Sequence, residues 1–155
     1  MKVQLVLALA VLASSTFAAE EEAMKKEALE IRGKCLADLK GTDEDLKEIE
    51  EKHEVSTDFA KKMTLCVFRA YKIIDDKNKF SKDNVVEVAK KAFDGKPKQE
   101  DMLKTAQEIA EACDKEVGAL EGPAEETAKS VYDCLKKNVI EKSSGQRYGF
   151  GGGPL

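Results

Sequence analysis

The chain has 155 residues, 42% of them hydrophobic and 36% charged, with 26 Lys and Arg against 30 Asp and Glu. That length suits one domain or two very small ones, and a net charge of −4 argues against the clustered basic surface that nucleic-acid binding favours. With one histidine, no zinc site can draw on two His ligands, and any Ser-His-Asp or Cys-His mechanism would rest wholly on His53. Most enzyme chemistry is thereby disfavoured, and the chain reads as a non-enzyme.

Met1 and Lys2 give a short positive start, and Val3 to Ala13 is apolar apart from Gln4. A spanning helix needs about 20 apolar residues, so this shorter run suits the apolar region of a secretory signal peptide. Thr16 and Ala18 supply the small residues required at −3 and −1, which places the cut after Ala18; a cut after Ala19 would put Phe17 at −3. The leader is therefore residues 1–18. No second hydrophobic span follows, so the sequence predicts an extracellular protein with no membrane insertion.

The mature chain reads as helix throughout, its apolar residues recurring at steps of three and four. Met24, Ala28, Ile31, Cys35 and Leu39 mark the first helix, stopped by Gly41. Thr42 caps a short second helix carrying Leu46, Ile49 and His53, with Asp45 in place of a capping-box Glu. Ser56 or Thr57 opens the third, whose stripe runs Phe59, Met63, Cys66, Val67, Ala70 and Ile74 up to the polar stretch Asp75–Lys79. Ser81 or Asp83 starts the fourth, with Val85, Val86, Ala89 and Phe93, closed by Gly95 and Pro97. The fifth holds Met102, Ala106, Ile109, Ala110, Cys113 and Val117 and ends near Gly118. The sixth follows Pro123, a residue suited to a first helical turn, and carries Ala124, Ala128, Val131, Leu135 and Val139. No run alternates strictly enough for a strand. The helical domain spans 19–142. From 143 to 155 five of the ten glycines gather with Tyr148, Phe150 and Pro154, predicting either a flexible tail or one that tucks Tyr148, Phe150 or Leu155 into an apolar opening.

Four cysteines in an exported helical chain predict disulfides, with three possible connectivities. Cys35, Cys66, Cys113 and Cys134 lie on the apolar stripes of the first, third, fifth and sixth helices, so crosslinks would staple neighbouring helices. No C-x-x-C motif suggests a redox or zinc site. Spacing alone does not select a pairing.

A signal peptide, an acidic mature chain, six helices and cysteines on these four helices resemble the insect odorant-binding proteins, the pheromone-binding and general odorant-binding family. The family usually has six cysteines, the second four residues before the third and the fifth nine before the sixth. Lys62 and Glu125 stand at those two places here, and both missing cysteines belong to one family disulfide. The chain thus resembles the four-cysteine, Minus-C branch over roughly residues 22 to 141. The resemblance implies Cys35–Cys66 and Cys113–Cys134 bridges and brings Lys62 near Glu125 as a candidate ion pair. The 46 residues between Cys66 and Cys113 are a few more than the family pattern, which points to an enlarged fourth helix or flanking loops.

The fold so implied is all-α, a compact six-helix disulfide-linked shell around an apolar ligand cavity. The activity implied is carriage of small hydrophobic ligands, odorants or pheromones, through aqueous fluid, with transient delivery to a membrane receptor, by a monomer or weak homodimer. Met63, Val67, Phe68, Tyr71, Ile74, Phe80, Val86, Phe93, Met102, Ala106, Val131, Tyr132 and Leu135 are the candidate lining residues, with Tyr71 or Tyr132 hydrogen-bonding a ligand hydroxyl or carbonyl. Acid-triggered release occurs in some such proteins, and here it would need His53, buried carboxylates or the tail. Asp76, Asn78 and Glu87 match positions 1, 3 and 12 of a calcium loop, but Phe80 stands where position 5 needs an oxygen and Ser81 replaces the turn glycine. No metal or cofactor is expected. The alternatives are a carrier of the same fold outside olfaction, a salivary scavenger, and a disulfide-linked helical hormone or cytokine with a filled core.

Overall fold

The computed structural model describes residues 22–143; the leader with its cut after Ala18 and the glycine tail lie outside the described residues. Among those described are six α-helices and one short 3-10 turn. They are α1 (22–38), the turn Glu44–Leu46, α2 (Lys47–Lys52), α3 (Asp58–Ala70), α4 (Lys82–Phe93), α5 (Gln99–Val117) and α6 (Ala124–Ser143). The all-α expectation holds, with one small addition: an isolated antiparallel bridge joins Ile74 to Phe80.

Helix ends follow local chemistry. α1 closes in a Schellman motif, with Lys40 in the left-handed region (φ 52°) and its N–H donating to Ala37, while the Gly41 N–H donates to Leu36 at 2.9 Å. Gly41 is needed for space, since a Cβ there would sit 2.3 Å from the Phe59 ring. Thr57 and Ser81 cap α3 and α4, their hydroxyls accepting from the N–H groups of Ala60 and Asn84. Asp45 accepts from both the N–H and the hydroxyl of Thr42, at 2.8 and 3.0 Å.

One predicted end is corrected. α3 stops at Ala70, four residues short of Ile74, because Lys72 turns left-handed (φ 59°) and the Ile73 N–H donates back to Phe68 at 2.8 Å. Ile73 and Ile74 then run on in the connector, where β-branched side chains are at ease. There Asp75 accepts from the N–H groups of Lys77 and Lys79, closing a turn before Phe80. Pro123 stands immediately before α6, where the sequence puts it, its carbonyl accepting from Thr127.

α4 packs against α5, α5 against α6, and α6 against α3. The main core lies among them: Leu65, Ile73, Ile74, Phe80, Cys113, Val117, Ala128, Val131 and Cys134. Each large aliphatic chain withdrawn from water here contributes about 1.5–3 kcal/mol. A second cluster joins α1 to α3 through Cys35, Leu46 and Met63, and a third gathers Val55, Ala60 and Tyr132. Phe68 packs against the first and third and Ile49 against the second and third, so the apolar interior is continuous.

Both disulfides pair as the resemblance implies: Cys35–Cys66 ties α1 to α3 and Cys113–Cys134 ties α5 to α6, with Cα separations of 5.9 and 5.8 Å. Asn138, one turn beyond Cys134 and buried, lays its Nδ2 beside both sulfurs while donating to the Cys134 carbonyl at 2.9 Å. The family's third bridge is replaced by charge, in a register different from the expected one. Lys61 and Glu126 meet at 2.6 Å between α3 and α6, whereas Lys62 is exposed and no Lys62–Glu125 ion pair forms among the described residues. The two residues that do pair are the immediate neighbours of the two vacated cysteine positions.

Outside the core, Glu48 of α2 fastens the start of α3. Its carboxylate accepts from the N–H and hydroxyl of Ser56 and from the N–H and hydroxyl of Thr57, the last at 2.7 Å. Desolvation works against the charged form, but these bonds outweigh it and lower the Glu48 pKa to about 2. The folded value lies below the unfolded one, so the clip is fully formed above about pH 5 and lost as the pH falls toward 2. Glu48 is partly exposed and its contacts are screened, so Glu48→Gln should cost about 1 kcal/mol at pH 7. Urea melts at pH 7 and pH 3 check this: the gap between wild type and variant should narrow at the lower pH.

Candidate ligand-binding site

None of the thirteen candidate lining residues is exposed. Met63, Ile74, Phe80, Phe93, Ala106, Val131 and Tyr132 are buried; Val67, Phe68, Tyr71, Val86, Met102 and Leu135 are half-buried. The fold gathers Ile74, Phe80 and Val131 in the main core with Phe68, Tyr71 and Leu135 packed over them. Met63 and Val67 sit in the α1–α3 cluster, and Tyr132 in the third. Val86, Phe93, Met102 and Ala106 belong to none of these three clusters.

Among the described residues, the two best-formed concavities are open grooves and not an enclosed apolar chamber. One, of about 350 Å³, lies between α4 and α5 and is lined by Lys82, Asp83, Glu87, Lys90, Gln107 and Glu111, with only Val86 and Ala110 apolar. The other, of about 230 Å³, separates Lys77–Lys79 from Leu120–Gly122. Neither groove is the enclosed apolar cavity that the resemblance implies. Among the candidate lining residues, Met63 and Met102 are unbranched and adaptable in shape.

Two phenols lie in this interior. Tyr71, at the C-terminal cap of α3, is half-buried, and desolvation together with the charge of Glu27 raises its pKa. Tyr132 is 6% exposed and its pKa is raised by desolvation, with a smaller effect from Asp133. Both phenols therefore stay protonated, and able to donate, across the physiological range.

His53 ends α2 in the left-handed region (φ 53°), exposed, and its backbone carbonyl accepts from Lys136 at 2.6 Å. It is the helix-end residue the sequence suggests. The sequence reading missed Leu65 of the main core and the clip at Glu48. Leu65 lies off the apolar stripe read for the third helix, and Glu48 lies eight residues before Ser56, with no local pattern to announce it.

Comparison with known proteins settles the family. The PBP/GOBP family profile matches residues 17–138. The chain belongs to the PBP/GOBP family. This is a family of binding proteins, and two bridges from four cysteines fit its Minus-C type. Among solved structures, this PBP/GOBP chain is similar to odorant-binding protein dmelOBP28a from Drosophila melanogaster, at 28% identity and a TM-score of 0.62. The likeness covers 80% of this chain and 98% of that one. No curated protein sequence matches. No helix among the described residues is long and apolar enough to cross a membrane.

Proposed function

We propose that this PBP/GOBP protein is a secreted carrier that takes small hydrophobic ligands, odorants or pheromones, into its apolar interior and delivers them through aqueous fluid to membrane receptors. The observation that carries this reading is the continuous apolar interior, bridged by Phe68 and Ile49, in a chain of this family. Transfer of a ligand from water into it gains about 25 cal/mol per Å² of apolar surface buried. The candidate lining residues are the thirteen named above, and export follows from the leader 1–18.

The test is a titration with a fluorescent naphthylamine probe, displaced by unlabelled long-chain ketones. Saturable uptake of one probe per chain is expected. Absence of any saturable site would contradict the carrier reading.

A further inference from the structure

Residues 47–54 are pinned at both ends and lightly held between. Leu46 before them and Val55 after them are each 2% exposed, one in the second apolar cluster and the other in the third. Between these anchors α2 has no buried residue. Ile49, the only apolar residue of the eight, is half-buried where the two clusters meet. Polar ties hold the segment down instead. Glu48 accepts from Ser56 and Thr57 at the start of α3, Glu50 meets Arg32 of α1 at 2.8 Å, and Lys136 of α6 donates to the His53 carbonyl at 2.6 Å. Arg32 and Glu50 are each more than a quarter exposed, so water competes for their bond and it is weak beside burial. At the far end His53 turns left-handed (φ 53°), which breaks the helix just before the Val55 anchor. Few buried contacts between two firm anchors is the condition for local opening.

Resting on the carrier reading above, we infer that residues 47–54 form a strap across the entrance to the apolar interior, whose polar ties to α1, α3 and α6 set how fast ligand enters and leaves. Lifting the strap carries Ile49 away and uncovers the junction between the cluster of Met63 and that of Tyr132. The ties are made to the protein and not to the ligand. Weakening one therefore raises the open population equally with and without ligand. Association and dissociation then quicken by the same factor, and the affinity is unchanged.

The experiment is stopped-flow mixing of the naphthylamine probe with wild type, Glu48→Gln, Arg32→Met and the double variant. Lys142→Met, which breaks the 3.2 Å pair between α6 and α5, is the control for losing an ion pair elsewhere. Thermal melts check that each variant is folded, and either single strap variant decides the question alone. Each single change should speed both association and dissociation by about three- to fivefold, the effect of one such contact, with the dissociation constant unchanged. The double change should speed both further, and Lys142→Met should alter neither rate. The inference is overturned if the strap variants keep wild-type rates, if dissociation alone quickens, or if Lys142→Met speeds exchange as much. In each of these cases the probe still binds wild type and the carrier reading survives. Absence of saturable probe binding to wild type overturns the two together.

Discussion

Replacing Cys113 and Cys134 together by alanine should destabilise the fold by about 4 kcal/mol, the larger of the two disulfide effects. Chain entropy alone gives about 3 kcal/mol for a closed loop of this length, the bridged residues lying 21 apart. The remainder comes from packing: Cys113 and Cys134 are 0% and 2% exposed inside the main core, and removing two sulfurs leaves a void that α5 and α6 only partly close. Loop length by itself ranks the bridges the other way, since Cys35 and Cys66 lie 31 apart. Cys66 is only half-buried, however, so less packing is lost with that pair. Urea unfolding of the two double variants decides the order. A smaller loss for Cys113/Cys134 than for Cys35/Cys66 would show that burial contributes little here.

The second large effect is expected at Phe80. Its ring is buried in the main core at the end of the α3–α4 connector, held there by the bridge to Ile74. Phe80→Ala should cost about 3–4 kcal/mol, the usual range for deleting a buried ring. On the carrier reading the same change has a second consequence. The vacated space joins the interior, so the probe should bind more tightly while the melting temperature falls. Loss of both stability and binding would mean that Phe80 shapes the site instead of merely filling it.

Much of the fold is legible in the residues because helix period and apolar burial coincide. The stripe Ala106, Ile109, Ala110, Cys113, Val117 is buried in full along α5. The same rule misplaces the end of α3, because Ile74 continues the period and is buried in the same core, yet reaches it from an extended connector. A side chain's burial does not report its backbone conformation. Helix ends are similarly ambiguous: Gly41 reads as the stop, but Lys40 adopts the left-handed turn and the glycine makes room for Phe59. The vacated cysteine positions locate the α3–α6 contact, yet side-chain reach selects Lys61 and Glu126 over Lys62 and Glu125.

The candidate site was legible as a set of withdrawn residues and not as a shape. Period places Val86 and Val131 alike on apolar faces, but tertiary packing sends Val131 into the core and Val86 to the charged α4–α5 groove. Whether apolar faces meet or enclose a chamber depends on helix separation, which no single helix encodes.

The central claim, that a small apolar ligand enters the interior, is tested most directly by methyl-labelled NMR of the chain titrated with a long-chain ketone. Methyl signals of Val55, Met63, Val131 and Leu135 should shift together and saturate at one equivalent. Shifts confined to Val86 and Ala110, the apolar residues of the open groove, would contradict it, as would no shifts at all.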